Sequence, residues 1–207
     1  NGFRNNSEYA ARNGYATIQY KFNDKTRIKV DYTKLDYLAK QAGGLTDTQF
    51  AAGPDYSNRE RNWFDVDWNL VAARLDHEFN KNTRASIQLS YLDASRKSVG
   101  FRGDPSKLNQ NPITALDEQD MDGRYILPRD IINGTFRNVA LESKLIQTQD
   151  FFSKSVTTLI GNKIYLSNNT SDQGPGSRDA DANFRIYSED FPDYANQSQF
   201  DFPNSNV

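Results

Sequence analysis

The chain has 207 residues, a formal net charge of -2, a hydrophobic fraction of 36% and a mean hydropathy of -0.82. Cysteine is absent, which excludes disulfides and thiolate metal sites, and the Lys and Arg residues are scattered between acids, which argues against a nucleic-acid partner. No apolar run approaches 18 residues, so no transmembrane helix is expected, yet Phe 13, Tyr 11 and Trp 2 are too many aromatic residues for a disordered chain.

Two alternating segments near the start predict a first β-hairpin. Their apolar positions lie two residues apart on either side of a polar turn: Ala16, Ile18, Tyr20 and Phe22, then Ile28, Val30 and Tyr32. Charged and amide side chains such as Gln19 and Lys29 occupy the positions between them. Period-two alternation is typical of a strand with one apolar face, so the two segments are predicted to pair through the turn at 23–26.

A second hairpin repeats the first. Its apolar positions are Val71, Ala73, Leu75 and Phe79, then Ala85, Ile87, Leu89 and Tyr91. The turn Phe22-Asn23-Asp24-Lys25-Thr26-Arg27 returns as Phe79-Asn80-Lys81-Asn82-Thr83-Arg84, with the same length and the same aromatic residue before it. Two weaker strands are predicted near 139–148 and 156–166, joined by a turn at 150–155. The short turns alternate with long connections at 39–62, 97–134 and 168–207.

This rhythm predicts an all-β fold: a transmembrane antiparallel β-barrel, with tight periplasmic turns and long external loops. Phe22 and Phe79 would then lie in an aromatic girdle at the periplasmic rim. The alternative is a soluble extracellular β-sandwich for glycan binding or surface interaction, because alternation alone does not distinguish lipid from a protein core. About six strands are too few to close such a barrel, which starts at eight. Residues 1–207 are therefore expected to be one partial barrel domain that requires further strands.

A more specific pattern lies in the first long connection and the strands around it. The pattern consists of Gly43-Gly44-Leu45-Thr46-Asp47-Thr48-Gln49-Phe50, Pro54, Ser57-Asn58-Arg59-Glu60-Arg61-Asn62-Trp63-Phe64 and Trp68-Asn69. This pattern resembles TonB-dependent outer-membrane receptors, and within them the ferric dicitrate receptor group. The resemblance is dense over 14–101 and thinner over 136–184, where Gln173-Gly174-Pro175-Gly176 and Asp181 fit the next external loop.

The resemblance implies a role in active transport. It implies a barrel of twenty-two strands in the bacterial outer membrane, a plug domain inside it that is absent from this chain, and energy from the TonB complex through that plug. The implied ligand is a ferric siderophore or a ferric citrate-like chelate, and the implied surroundings are outer-membrane lipid and lipopolysaccharide. A passive porin is a third interpretation, a barrel without plug or TonB dependence.

An anionic chelate requires cationic and hydrogen-bonding groups, and arginine can bind carboxylates through two parallel hydrogen bonds. The candidates in and near the predicted loops are Arg59, Arg61, Arg96 and Arg102, with Gln41 and Gln49 as neutral donors. Arg59 and Arg61 also have a structural interpretation, in which they fix the loop to the barrel wall. Asp55 adds an acid to the same loop and argues against assuming citrate.

No enzyme site is predicted. His77 is the only histidine, so neither a zinc site nor a nucleophile–base pair can be assembled around it. The acidic segment Asp117–Gly123 is interpreted as a solvated loop. An irregular Ca²⁺ site in this external loop is the second interpretation, although Arg129 stands where the EF-hand pattern requires glutamate.

Overall fold

The computed structural model describes residues 2–104, 111 and 113–191. It contains six long strands in chain order: β1 (Tyr9–Asn23), β2 (Thr26–Lys40), β3 (Trp63–Asn80), β4 (Thr83–Gly100), β5 (Asp130–Phe151) and β6 (Lys154–Pro175). They form one antiparallel sheet in the order β1-β2-β3-β4-β5-β6, and β1 and β6 are its open edges. The prediction of an all-β antiparallel sheet of about six strands is confirmed.

One end of the sheet, which we call the turn end, carries three two-residue connections. The first two are alike in detail: Asn23 Oδ1 accepts from the Lys25 N–H and Asn80 Oδ1 accepts from the Asn82 N–H, each at 2.9 Å. The register shifts by one residue just before each of these turns. The third turn places Phe152 and Ser153 at φ 47° and 61°, as a type I′ turn requires. The repeat seen in the sequence is therefore a repeat of backbone geometry.

The opposite end, the loop end, carries the long connections 41–62 and 101–129 and the segment 176–191 that follows β6. A six-residue helix, α1 (Asp47–Ala52), lies in the first connection and begins with a capping box between Thr46 and Gln49. No helix in the described ranges is long and apolar enough to cross a membrane. Residues 192–207, the remainder of the third predicted connection, lie outside the described residues.

The strands reach further toward the loop end than the alternation indicates. β4 continues to Gly100, β5 begins at Asp130 and β6 continues to Pro175, inside the predicted connections 97–134 and 168–207. In the last part of β6 the side chains are polar on both faces, as in Asn168, Asn169 and Thr170. The backbone ladder with β5 continues through this part, because its hydrogen bonds do not depend on which face is apolar.

The buried core is small and lies at the loop end. Its apolar members are Ala39, Ala94, Val99, Phe101, Ala115 and Ile131. Large apolar side chains in the middle of the sheet are exposed instead, as for Ile18 and Ile164. Burial thus occurs where the loops cover the strand ends, and the middle of the sheet lacks a covering layer among the described residues.

Candidate functional site

One face of the sheet, here called the apolar face, carries a band without formal charges. Directly paired residues share a face, so the register defines rows that cross all six strands. The central row is Ile18, Val30, Ala73, Leu89, Leu141 and Ile164, and the row beside it is Ala16, Tyr32, Val71, Tyr91, Val139 and Leu166. Toward the turn end follow Tyr20, Ile28, Leu75 and Ile87, and then His77, Leu145 and Ile160.

This band is exposed and has the height of a bilayer core. Ile18, Ile160 and Leu166 are 74%, 65% and 65% exposed, which is unusual for a contiguous apolar surface. Val156 and Leu166 are ten residues apart on β6, which corresponds to roughly 34 Å along an extended strand. At the tilt of 35–45° found in membrane barrels, that length gives a height of about 25 Å, as their apolar band has. The band therefore has the dimensions of a lipid-facing surface.

The band is bordered by aromatic side chains at the turn end and by charged side chains toward the loop end. At the turn end Phe22, Phe79 and Phe151 are more than half exposed and form edge-on pairs with Tyr20, His77 and Phe152. Toward the loop end the same face becomes charged. Its ion pairs are Lys34–Asp67 at 2.8 Å, Lys34–Asp36 at 2.9 Å, Lys97–Asp65 at 3.5 Å and Arg137–Asp93 at 3.5 Å. An aromatic rim and a layer of paired charges thus border the apolar face.

The opposite face, here called the mixed face, carries most of its charges near the turn end, and Arg96 lies on it near the loop end. Its basic side chains near the turn end outnumber the acidic ones, and several are paired: Arg27 and Arg74 with Asp76 at 3.3 and 2.9 Å, Lys29 with Asp31 at 2.9 Å, and Lys144 with Glu142. Further toward the loop end, aromatic and aliphatic side chains replace the charges, as in the row of Leu35, Trp68, Ala94 and Phe136. This face combines water-compatible and apolar regions.

Buried arginines join the segments at the loop end into what we call the loop layer. It consists of 41–62, 101–104, 113–129 and 176–191. Arg61 is fully buried and makes a two-pronged pair with Asp117 at 2.6 and 2.5 Å. Its guanidinium carbon also lies 4.1 Å from the centre of the Tyr125 ring. Because Arg61 belongs to the first connection and Asp117 to the second, this pair fixes the two connections to each other.

Arg129 joins the connection that ends at residue 129 to the segment 176–191. Its guanidinium donates to the Ser177 and Asp181 carbonyl oxygens at 3.1 and 2.5 Å, and to the Arg61 carbonyl oxygen at 3.3 Å. It also donates to the Ser177 hydroxyl at 2.7 Å and to Asp181 Oδ1 at 3.1 Å. Burial lowers the pKa of Arg129, and the neighbouring Asp181 carboxylate opposes that shift. The hydrogen bonds compensate for the desolvation of this cation.

Two of the other predicted ligand residues in the first connection, Arg59 and Gln49, also have side chains that bind other parts of the protein. Arg59 is buried, donates to the Ala115 carbonyl oxygen at 3.0 Å and lies over the Phe101 ring, and burial lowers its pKa. Gln49 accepts from the Thr46 N–H in the capping box of α1. Gln41 has an exposed side chain, and its backbone N–H donates to the Asn62 carbonyl oxygen at 2.9 Å. For Arg59 and Arg61 the geometry supports the loop-fixing interpretation.

The acidic segment Asp117–Gly123 belongs to the loop layer and is fixed there by hydrogen bonds. Asp117 faces Arg61, and Asp120 Oδ1 accepts from the Asp122 and Arg124 N–H groups at 2.9 Å each, which closes a tight turn. No group of three or more His, Cys, Asp or Glu side chains that could hold a metal ion occurs in the described parts of the chain. Tyr125, at the base of the turn, donates to Glu60 at 2.8 Å, and burial raises its pKa.

A concave pocket of about 350 Å³ lies on the mixed face near the loop end. It is lined by residues of three neighbouring strands: Arg96, Ser98, Ile132, Gly134, Phe136, Asn169, Thr170 and Ser171. Arg96 is exposed, and its guanidinium carbon is 5.3 Å from the centre of the Phe64 ring. Arg102 is exposed just beyond the end of β4. Among the four predicted arginines, Arg96 lines this pocket.

The sequence patterns do not indicate two features of the site. Arg129 enters them only as a mismatch to a calcium-binding pattern, because its role depends on Ser177 and Asp181, which are 48 and 52 residues away. Gly134 and Phe136 lie in the predicted connection 97–134 and just after it, before the predicted strand near 139–148.

Comparison with known proteins identifies the fold. No family model matches the chain, and no curated protein matches it. Among solved structures, the crystal structure of the ferric citrate transporter FecA in the unliganded form is similar, with a TM-score of 0.68 and 12% sequence identity. The match covers 87% of this chain and 24% of that chain, so this chain spans about a quarter of the transporter. The sheet therefore shares its fold with a segment of that transporter, and it is open at β1 and β6.

Proposed function

We propose that this chain is part of the barrel wall of a TonB-dependent outer-membrane receptor that takes up a ferric siderophore or a ferric citrate-like chelate. The observation that carries the proposal is the charge-free, exposed band that crosses all six strands on one face. The structural likeness to a ferric citrate transporter supports it. The chain acts in transport, without catalysis, in the bacterial outer membrane.

The two faces have different surroundings in this proposal. The apolar face contacts lipid, because an arginine or lysine at the middle of such a face would cost about 2–4 kcal/mol. The layer of paired charges around Lys34 and Asp67 lies at the level of the headgroups, where it contacts lipopolysaccharide. The mixed face lines the lumen, where water and a plug domain contact its charges near the turn end.

The open edges require additional strands. β1 and β6 each leave one row of backbone N–H and C=O groups without a partner in the sheet. In a bilayer each unpaired group costs several kcal/mol. Further strands on both sides, provided by the rest of the barrel, satisfy these groups. The plug and the contact with the TonB complex also belong to that remainder.

The pocket at Arg96 favours a receptor over a passive channel. A porin needs a water-filled lumen that does not hold its solute. Here a cation and two apolar side chains, Ile132 and Phe136, line a pocket of about 350 Å³, a volume within the range of small-molecule sites. At the same end of the sheet, the contacts of Arg61 and Arg129 hold the loop layer in one arrangement.

Uptake by cells tests the proposal. The full-length protein that contains this chain is expressed in the outer membrane of iron-starved cells that lack their own ferric-chelate receptors, and entry of radioactive iron is followed for a panel of ferric chelates. We expect saturable uptake of at least one chelate, abolished by a protonophore and by removal of TonB. Uptake that is unchanged by the protonophore and by removal of TonB would indicate a porin.

A second experiment tests the alternative that the chain is a soluble β-sandwich. Residues 1–207 are expressed alone without detergent and analysed by size-exclusion chromatography and circular dichroism. We expect aggregation, or folding only in detergent, because the apolar face and both edges are exposed. A soluble, folded monomer would instead indicate a glycan-binding β-sandwich.

A further inference from the structure

A glycine in a strand, Gly134, lines the pocket on the mixed face. A Cβ atom at Gly134 would lie 3.2 Å from Cζ of Phe136 and 3.5 Å from the Arg96 carbonyl oxygen. The Phe136 ring therefore lies over the bare backbone of Gly134. Glycine weakens a strand, and in strand interiors it often marks a place where a ligand or another backbone approaches closely. Gly134 thus leaves room at the pocket and lets the ring of Phe136 line it.

The charge in this pocket is available to a ligand. Arg96 forms no salt bridge with any residue that the structure describes, and its guanidinium lies against the Phe64 ring. Arg61 and Arg129, by contrast, are buried and fully engaged with carboxylate and carbonyl oxygens. A guanidinium that is exposed, oriented by an aromatic ring and without a carboxylate partner is suited to binding an anion.

The remainder of the pocket is suited to an apolar group. Ile132 and Phe136 line it, and the row that contains Phe136 continues across the sheet to Ala94, Trp68 and Leu35. Citrate has carboxylate and hydroxyl groups and almost no apolar surface, so it would leave these side chains without contacts. A chelate whose anionic oxygens are attached to aromatic rings would satisfy both the cation and the apolar wall, since rings pair well with Phe.

We propose that the pocket formed by Arg96, Gly134 and Phe136 recognises the aryl group of an anionic ferric chelate of the catecholate class, in preference to ferric citrate. This inference rests on the proposed receptor function and names its substrate class. Arg96 binds the negative charge of the ring oxygens. Phe136 and Ile132 contact the ring, and Ser98 and Asn169 provide hydrogen-bonding groups at the edge of the pocket.

Binding to the purified full-length receptor in detergent tests the inference. The probes are ferric citrate and a synthetic hexadentate tris-catecholate ferric chelate, with affinities measured by calorimetry. We expect the catecholate to bind at least tenfold more tightly. Phe136→Leu removes the ring but keeps an apolar side chain, and we expect it to weaken catecholate binding about tenfold while leaving citrate binding unchanged. Arg96→Gln should weaken the binding of both anions.

Matched controls distinguish an effect on the pocket from a general loss of structure. Phe151→Leu removes a ring at the turn end, and Arg84→Gln removes a cation from the mixed face near the same end; neither should change affinity. Heat-modifiable migration on gels confirms that each variant is folded, and Phe136→Met replaces Phe136→Leu if the latter is not. Tighter binding of citrate, or equal effects of Phe136→Leu and Phe151→Leu, would overturn the inference alone. Failure to bind or take up any chelate in the panel would overturn the receptor function as well.

Discussion

The turn end and the loop end of the sheet are stabilised by different kinds of interaction. At the turn end, Asn23 and Asn80 each fix a two-residue connection by a hydrogen bond to the backbone two residues later. At the loop end, Arg61 and Arg129 join segments that are more than fifty residues apart in the chain. The geometry of one end depends on local sequence, and that of the other depends on contacts that exist only once the sheet has formed.

The largest effect is expected at the loop end. Arg61→Leu leaves the nearly buried Asp117 carboxylate without its partner, and loss of one member of a buried ion pair costs about 3–5 kcal/mol. We expect the loop layer to open and the 101–129 connection to become sensitive to protease on intact cells. Limited proteolysis followed by mass spectrometry measures this directly.

A double variant distinguishes charge imbalance from lost packing. Arg61→Leu combined with Asp117→Leu removes both charges, and we expect much of the protease resistance to return, because buried pairs can often be replaced by apolar side chains at little cost. Arg102→Leu, at an exposed position nearby, is the matched control and should have no effect. Equal sensitivity of the Arg61 and Arg102 variants would show that the pair does not hold the layer together.

A somewhat smaller effect is expected in the middle of the sheet, between the two ends. Leu89→Arg places a charge in the centre of the apolar face, where lipid exposure should cost about 2–4 kcal/mol. Gln88→Arg, one residue away on the mixed face between Glu142 and Arg74, keeps its charge off the apolar face and should cost less. Urea unfolding of the full-length barrel in lipid vesicles measures both. Equal destabilisation by the two substitutions would argue against a lipid-facing side.

The smallest effect is expected at the turn end. Asn80→Ala removes the hydrogen bond to the Asn82 N–H and should cost about 1 kcal/mol, typical of one exposed side chain to backbone bond. Asn23→Ala should have the same effect, because the two turns share their geometry. The same urea experiment measures both values. A loss for Asn80→Ala as large as that for Arg61→Leu would remove the contrast between the two ends.

Local sequence patterns could predict the turn end and the middle of the sheet. Alternation fixes which residues share a face, and the repeat of Phe22 and Phe79 before polar turns locates the hairpins. Strand pairing between neighbours then follows from the short turns. These signals concern residues close together in the chain, so they can be read without knowledge of the fold.

The loop end could not be predicted in the same way. In the sequence, Asp117 is one of several acidic residues in the segment 117–123, and nothing there marks it as a partner of Arg61. The structure shows that the two side chains face each other. The sequence around Arg59 and Arg61 is the same whether these arginines bind a ligand or fix a loop. Their burial favours the loop-fixing role. The extension of β6 to Pro175 was hidden because strand ends beyond an apolar band are polar on both faces.

The assignment of the apolar face to lipid can be tested most directly by cysteine scanning, since the chain contains no cysteine of its own. Single cysteines are introduced from Ser86 to Tyr91 of β4 in the full-length protein, spin-labelled and reconstituted into lipid vesicles. We expect labels at Ile87, Leu89 and Tyr91 to collide with lipid-soluble oxygen, whereas labels at Ser86, Gln88 and Ser90 should collide with a water-soluble nickel complex. Loss of this alternation, or its reversal, would show that the apolar face does not contact lipid.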